Sequence, residues 1–309
     1  MANYNTPYDD SFRTLLTDCK RLIIPVVNEM FGEAYAGDED VELFQNELFI
    51  TEGREHKVIT DSHFAIGGRE RHYNIECQSS PDGSMIMRMF EYSSQIAVVN
   101  GVPTVTGFRF VFPHAGILYL RGTNYPDSYK VTLDVPGGGS AEYNMPIIKI
   151  GDYNVETVFQ KKLWFLIPFL FFNYNLELIE GNEEQLNLLK TDYRRLWSRL
   201  DGLVETGELT EYEKCSIKAM CDKVARSLAD KYISVSEGVN EIMGGIVLDY
   251  EAKRILQQGV QQGLQQGNVK AVCNMLRGNV EEAFIREMYP DEFEEGKKMY
   301  EDMLRSQDI

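Results

Sequence analysis

The 309-residue chain lacks the sequence patterns that mark several classes of protein. Its cysteines are Cys19, Cys77, Cys215, Cys221 and Cys273. They form no CxxC pair and do not cluster with histidines, which argues against a zinc site and is typical of reduced thiols in a cytoplasmic protein. No basic and apolar leader opens the chain. The longest apolar run, Leu163 to Phe172, has about half the length of a bilayer span and contains Pro168, so we expect a buried helix and no membrane partner.

The chain also lacks an excess of basic residues. Its 48 acidic residues against 31 lysines and arginines give a net charge of −17. Proteins that grip phosphates usually carry a basic surface, so this balance argues against a nucleic-acid function. Metal-dependent nucleases need fewer basic residues at the site, because bound cations supply positive charge beside the scissile phosphate. The triplet Gly137–Gly139 lacks the GK[ST] ending of a phosphate loop and predicts a turn.

Hydrophobic periodicity predicts an α/β (α+β) fold followed by a helical C-terminal region. Apolar residues from Phe12 to Met30 recur at three- and four-residue spacing and predict one helix, with Asp9, Asp10 and Ser11 suited to cap its start. A further helix is predicted over Met85–Val99. The predicted strands are Glu42–Thr51, Lys57–Ile66, Arg71–Ser79, Arg109–Phe112 or Gly116–Arg121, Tyr129–Val135 and Tyr143–Ile150, and the later helices are Val155–Asn173, Glu183–Leu203 and Glu211–Leu228.

The strands Lys57–Ile66 and Arg71–Ser79 flank the four residues Gly67–Glu70, a connection typical of a β-hairpin. If these four residues form the turn, the register of the hairpin places Asp61 opposite Glu76. Cross-strand neighbours of this kind have Cβ atoms roughly 4.5–5.5 Å apart. The sequence therefore predicts two carboxylates side by side on one face of the hairpin.

Two carboxylates this close repel each other, and a bound cation removes that penalty. Oxygen-rich ligation suits Mg²⁺ or Mn²⁺, with the backbone carbonyl of Cys77 as a further ligand. Gln78 shares the strand face of Glu76, because side chains alternate along a strand. From spacing alone, an Asp and a Glu on neighbouring exposed strands with no metal is the favoured interpretation. His63 lies on the face of Asp61, where a structural role is the simpler interpretation.

Several ordered segments together resemble the PD-(D/E)XK nuclease superfamily, and more narrowly the PD-(D/E)XK nuclease family transposases, which are related to the recombination-promoting nucleases. The segments are Asp10-Ser11-Phe12-Arg13, Asp61, Glu76-Cys77-Gln78, Arg88 with Tyr92, Leu166-Ile167-Pro168-Phe169 and the glycine-repeat tail. They are similar to the family's D-x-F-[KR] opening, its second-strand acid, its E-x-Q, its R-x-x-x-Y and its later motifs. The resemblance spans most of the chain and is specific as an ordered set.

This resemblance implies a restriction-endonuclease-like core, with a central mixed sheet flanked by helices, and Mg²⁺-dependent cleavage of DNA. Asp61 and Glu76 would be metal ligands, and Gln78 would occupy the place of the superfamily lysine. Glutamine orients groups through hydrogen bonds but carries no charge, so the role of Gln78 stays open.

Three further residues are candidates for the substrate side of the site or its second shell. Arg88 and Tyr92 lie one helical turn apart and are placed to face the site or a phosphate. Pairing of Arg88 with a nearby carboxylate is an equal alternative. Glu29 is a candidate further acid, with an exposed surface glutamate as the alternative.

The chain is predicted to divide into a nuclease-like domain over 1–175, a helical region over 176–250 and a glycine-repeat helical tail over 251–309. The tail repeats QQG three times at a four-residue period, ending in Gly259, Gly263 and Gly267. Each interior glycine costs a helix roughly 0.8–1 kcal/mol, so a helix here needs a packing partner, and a flexible linker is the alternative. The tail is therefore a candidate for self-association.

The leading functional hypothesis is a metal-dependent DNA endonuclease associated with mobile elements or recombination. A catalytically weak or inactive relative that binds or assembles through its helical C-terminal half is the alternative, and the charge of −17 and the missing lysine favour it. Cleavage of RNA or of single strands is a third hypothesis.

Overall fold

The computed structural model describes the backbone of residues 6–44, 47–50, 56–59, 62–68, 71–79, 83–122, 124–243, 246–278 and 280–307. Side chains are described over the same ranges, except in 47–50, 56–59 and parts of 246–262 and 302–307. The chain forms two compact units, Met1–Val247 and Leu248–Ile309. Within the described ranges, no helix is long and apolar enough to cross a membrane.

The first unit is a mixed α/β fold, as the sequence predicts. Its strands are β1 (Val41–Leu43), β2 (Glu47–Ile50), β3 (His56–Ile59), β4 (Phe64–Ile66), β5 (His72–Gln78), β6 (Val102–Thr104), β7 (Gly107–Arg109), β8 (His114–Tyr119), β9 (Ser128–Val135) and β10 (Gly139–Lys149). The main sheet has the order β1-β4-β5-β8-β10-β9. In it β5, β8 and β10 run parallel and the other neighbours antiparallel, while β2–β3 and β6–β7 form separate two-stranded sheets.

The helices match the prediction best where no proline interrupts the periodicity. They are α1 (Pro7–Asp18), α2 (Ile24–Phe31), α3 (Met85–Val99), α4 (Val155–Gln160), α5 (Leu176–Ile179), α6 (Glu183–Glu205), α7 (Glu211–Ala229), α8 (Ile233–Met243), α9 (Ile246–Arg277), α10 (Glu282–Met288) and α11 (Phe293–Gln307). The predicted helix Val155–Asn173 is split: Lys162 adopts a left-handed conformation with φ of 58°, and Trp164–Asn173 is a 3-10 helix around Pro168. The proline has no N–H to bond the preceding turn.

The predicted helix Phe12–Met30 is in fact α1 and α2, joined by a 3-10 turn. Pro25 lies in the first turn of α2, where its missing N–H would be unpaired in any case. The predicted cap is corrected as well. Thr6 is the N-cap and accepts from the Asp9 N–H at 3.3 Å, while the Asp9 carboxylate accepts from the Thr6 N–H at 3.0 Å. Ser11 instead donates to a carbonyl oxygen one turn earlier, at 2.7 Å.

The predicted strand Lys57–Ile66 is divided between two sheets, since β3 pairs with β2 and only β4 pairs with β5. Phe64 stands opposite Tyr73, which is the register that the sequence predicts for this hairpin. Beyond β4, the Ser62 hydroxyl accepts from the Ile75 N–H at 2.9 Å and donates to the Ile75 carbonyl oxygen at 2.8 Å. The Ser62 hydroxyl therefore makes the hydrogen bonds to Ile75 that the backbone of a neighbouring strand would otherwise make.

Helices cover both faces of β5 and β8. One face packs beneath α3, with Met85, Met89 and Tyr92 of that helix in one buried cluster with β8. The other face packs against α2, so closely that a Cβ added at Gly116 would overlap Met30. The two central parallel strands are thus enclosed, as parallel strands generally are.

A partly buried ion pair ties the first helices to α7 within the first unit. Arg21 Nε donates to Glu213 Oε1 at 2.5 Å, and Glu213 is 5% exposed. Glu213 also accepts from the Thr210 N–H at 2.8 Å in the capping box of α7. The predicted division at residue 175 therefore falls inside one compact unit, whereas the predicted start of the tail at 251 lies close to the boundary at 247.

The second unit is built from α9, α10 and α11, and the QQG repeat is helical. Its buried core is Val272, Leu276, Ile285 and Phe293. In the described part of the chain, a Cβ added at Gly259, Gly263 or Gly267 would meet nothing within 4 Å. Close approach occurs instead at Gly296 of α11, where an added Cβ would lie 2.5 Å from Val272 Cβ and 2.9 Å from a backbone oxygen.

These two kinds of glycine predict opposite effects of alanine. Gly296→Ala should destabilise the second unit by about 1–3 kcal/mol, because the methyl group has no room against α9. Gly263→Ala should stabilise α9 by up to about 1 kcal/mol, because alanine loses less backbone entropy in an open helical position. Hydrogen exchange of peptides from α9 and α11 in the full chain measures both effects. Equal exchange in Gly296→Ala and in the unmodified chain would contradict the packing described.

Candidate functional site

The polar face of β5 is the structural setting of the predicted site. His72, Asn74, Glu76 and Gln78 alternate with Tyr73, Ile75 and Cys77 along this strand. Glu76 stands beside Ile117 of β8, and Gln78 beside Tyr119. Register partners point to the same side of a sheet, so this polar face is the one beneath α3.

Glu76 is a buried carboxylate in the middle of that face, with only 4% of the residue exposed. A buried charge is costly unless it is paired or binds a cation. Gln78, two residues further, is half-buried at the end of the strand. Its backbone carbonyl oxygen accepts from the Leu120 N–H at 2.9 Å. Glu76 and Gln78 therefore share one face and lead toward the C-terminal end of β5.

Arg88 of α3 contacts this face directly. Its Nη2 donates to Gln78 Oε1 at 3.2 Å and also lies 3.8 Å from Met85 Sδ. Tyr92, one turn further along α3, is 7% exposed and packs in the apolar cluster with β8. The structure thus brings Gln78 and Arg88 together, and it places Tyr92 in the layer that covers the same face.

Asn74 is a residue of this face that the sequence analysis missed. It is fully buried between His72 and Glu76, and among the described residues neither polar atom of its amide has a hydrogen-bond partner. Ser93, buried on α3, has an unpaired hydroxyl by the same criterion. Buried polar atoms are rarely left unpaired. The only sequence signal for Asn74 was a polar residue in phase with Glu76 on a predicted strand.

Asp61, the second predicted carboxylate, lies outside the residues that the structure describes. Across the parts it does describe, no group of three histidine, cysteine or acidic residues is arranged to hold a metal ion. The backbone of Ile75 bonds Ser62 on the β4 side, and alternation points the Cys77 carbonyl to that same side of β5. Of the predicted metal ligands, the described residues therefore include the Glu76 carboxylate and the Cys77 backbone carbonyl.

Glu29, the candidate further acid, is engaged on the other side of the sheet. Its Oε1 accepts from Tyr153 Oη at 2.9 Å and from Lys161 Nζ at 2.6 Å, and hydrogen bonds from these two groups lower the pKa of the carboxyl despite partial burial. It belongs to α2, which packs on the face opposite Glu76. The structure does not bring Glu29 together with Glu76.

His63 forms a pair with His72 at the start of the polar face. Its Nε2 lies 2.9 Å from His72 Nδ1, and Phe44 packs within 4.9 Å of both ring centroids. Burial, reinforced by the neighbouring His72, lowers the pKa of His63 to about 4. His63 is therefore neutral in the folded chain at neutral pH and acts as part of the packing of the β4–β5 hairpin.

This depressed pKa predicts acid sensitivity. An unfolded histidine has a pKa of about 6.5, so the unfolded chain takes up the proton first as the pH falls. Stability due to neutral His63 is fully present above about pH 6.5 and is lost toward about pH 4, by at most about 3 kcal/mol. His63→Gln should flatten that pH dependence in urea unfolding. His114→Gln should retain more of it, because burial lowers the pKa of His114 to a smaller extent than that of His63. Identical slopes for His63→Gln and the unmodified chain would contradict this assignment.

Comparisons with protein-family models, with curated proteins and with solved structures found no match to this chain.

Proposed function

We propose that the chain is a Mg²⁺- or Mn²⁺-dependent DNA endonuclease, associated with mobile elements or recombination. The observation that carries the proposal is the hydrogen bond from Arg88 to Gln78 on the face of Glu76. It joins two motifs on consecutive elements, the E-x-Q of β5 and the R-x-x-x-Y of α3, whose contacting residues lie 10 positions apart. Both belong to the ordered set that resembles the PD-(D/E)XK nucleases, and their meeting at one place in the fold supports a common role.

The proposed metal ligands are Asp61, Glu76 and the backbone carbonyl of Cys77. The oxygen chemistry of this set suits a hard divalent cation, and the buried carboxylate of Glu76 gains from a nearby positive charge. The unpaired amide of Asn74 beside Glu76 offers a further oxygen or a hydrogen bond to a ligating carboxylate. A divalent cation bound there would supply an activated water and neutralise charge on the scissile phosphate.

Arg88 takes over the charge of the missing lysine in this proposal. Because Gln78 Oε1 accepts from Arg88, the amide NH₂ of Gln78 is directed away from Arg88 and can donate to water or to a phosphate oxygen. Gln78 would then orient the attacking water, while the guanidinium one hydrogen bond away stabilises the negative charge that develops on the phosphate.

A plasmid-nicking assay with Mg²⁺ or Mn²⁺ tests the proposal. Asp61→Asn and Glu76→Gln should each reduce cleavage to background, because they remove the charge that holds the cation while they preserve side-chain size. Both should also abolish any rise in melting temperature on addition of metal. Glu142→Gln is the matched control, since Glu142 is half-exposed on β10 and pairs with Lys130. Cleavage retained by both site variants would refute the site.

The Arg88–Gln78 pair makes a separate prediction. Arg88→Gln should lower cleavage about 10–100-fold, the loss typical of removing a group that orients another residue of a metal site. Arg195→Gln should have no effect, because Arg195 is 71% exposed and lies 3.3 Å from Glu156 on a different helix. If Arg88→Gln cleaves as fast as Arg195→Gln, the role proposed for Arg88 is wrong.

A second candidate function, assembly through the C-terminal tail, has its own support. No charged residue occurs between Arg254 and Lys270, although α9 is helical throughout. Leu256 and Leu264 are 67% and 64% exposed on this uncharged stretch.

Deletion beyond Tyr250, followed by a solution mass measurement, tests whether the tail self-associates. If the truncated chain forms particles with the same number of copies as the full chain, the tail has no role in assembly. Absence of cleavage by any form, together with no metal-dependent stabilisation, favours assembly over catalysis.

A further inference from the structure

Among the side chains that the structure describes in the first unit, those of the β6–β7 ribbon form a conspicuously exposed apolar group. Each of its residues is exposed, and Phe108 and Phe110 are 66% and 53% exposed, with parallel rings whose centroids are 6.2 Å apart. The exposed apolar residues of this region are Val98, Val99, Val102, Val105, Phe108, Phe110 and Val111. Together these side chains expose on the order of 600 Å² of apolar surface, distributed over both faces of the ribbon and the end of α3.

The same region is free of negative charge. No acidic residue occurs between Glu91 and Asp127, in a chain that carries 48 acidic residues in 309. Arg109 and Arg121 are the basic residues of this span. Two copies of a chain with net charge −17 repel each other, and this segment contributes no acidic side chain to that repulsion.

Strand register leaves one edge of the ribbon open to pairing. Thr104 stands opposite Gly107 beside the two-residue loop, and Pro103 opposite Phe108 comes next. In such a hairpin the pair beside the loop exchanges hydrogen bonds, and the next pair turns its N–H and C=O groups outward. Pro103 has no N–H, so it blocks the outer edge of β6. The outer edge of β7 carries both the N–H and the C=O of Phe108.

A conformational detail holds the aromatic pair in position for such a contact. A Cβ added at Gly101 would lie 3.0 Å from Phe110 Cε1, so the ring of Phe110 rests against the backbone that enters β6. Phe110 in turn stacks on Phe108. The two rings are therefore ordered before any partner arrives, which lowers the entropic cost of association.

We propose that β7 is the interface with a second copy of this chain, paired antiparallel about Phe108 on a two-fold axis. The N–H of each Phe108 donates to the C=O of the other, which joins two ribbons into one four-stranded sheet. Such a contact is self-complementary, as a two-fold interface requires. The exposed apolar area of each copy lies below the roughly 800 Å² per partner of a standard interface, so the dimer is expected to be weak. The proposal does not depend on the nuclease function.

Sedimentation velocity over a wide concentration range tests this interface. We expect a monomer–dimer equilibrium that strengthens from about 0.1 M to about 1 M NaCl, because salt screens the repulsion of two acidic chains and leaves apolar contact intact. Phe108→Pro should raise the dissociation constant at least tenfold, because it removes the outward N–H without adding charge. Phe108→Glu should do the same. Leu178→Glu is the matched control, at a 67% exposed leucine of α5, and should leave the equilibrium unchanged.

A cysteine substitution tests the symmetry of the pair. Directly opposed residues of an antiparallel hydrogen-bonded pair have Cα atoms about 5.5 Å apart, within disulfide range. Phe108→Cys should give a covalent dimer on mild oxidation, while Leu178→Cys should remain monomeric, and the five native cysteines are all buried. A monomer at every concentration, open-ended polymers, or a dimer that Phe108→Pro and Phe108→Glu leave intact would overturn the proposal. A dimer lost only on deletion beyond Tyr250 would overturn it in favour of the tail.

Discussion

The parallel pairing of β5 with β8 is the interaction on which the rest of the first unit depends. It encloses β5 between α3 and the first helices, so every side chain of the strand must either pack or find a polar partner. Tyr73, Ile75 and Cys77 meet this constraint by packing. The alternate residues, including Asn74 and Glu76, place polar groups beneath α3, where burial costs free energy that packing alone does not return. Polar groups buried on a central strand are typical of sites of ligand binding or catalysis.

The parts of this arrangement that sequence could predict are those set by local periodicity and turn length. The bounds of α3 follow from its apolar spacing, and a four-residue turn fixes the β4–β5 register. The same local patterns failed where one periodic run crosses a break. Phe12–Met30 keeps helical spacing through Pro25, and Lys57–Ile66 keeps strand-like composition through a change of sheet. Periodicity records which residues are apolar, but not whether the backbone continues.

The sequence predicted that Arg88 faces the site, but not which group it contacts, because that depends on how α3 packs on the sheet. The hydrogen bond from Arg88 to Gln78 exists only because α3 crosses back over β5 to deliver β8 as its parallel neighbour. The side-chain amide of Asn74 is buried and unpaired because α3 covers this face of β5. On an edge strand the same amide would be bonded to water. Glu29, by contrast, belongs to a helix that packs on the opposite face of the sheet, where Lys161 pairs with its carboxylate.

The uneven distribution of charge connects the site to the outer surface. The span from Tyr92 to Pro126 contains no acidic residue, and it includes part of α3, the β6–β7 ribbon and all of β8. Since β8 lies next to β5, the least acidic stretch of the chain borders the strand that carries Glu76. Exposed charges act over about one Debye length, roughly 8–10 Å, so a local absence of acids matters more to an approaching molecule than the net charge of the whole chain. This stretch contributes no acidic side chain to the repulsion that a phosphate backbone or a second acidic copy would meet. Added salt has opposite effects on the two kinds of binding. It weakens the attraction between phosphates and cations, but it relieves the repulsion between two like-charged chains.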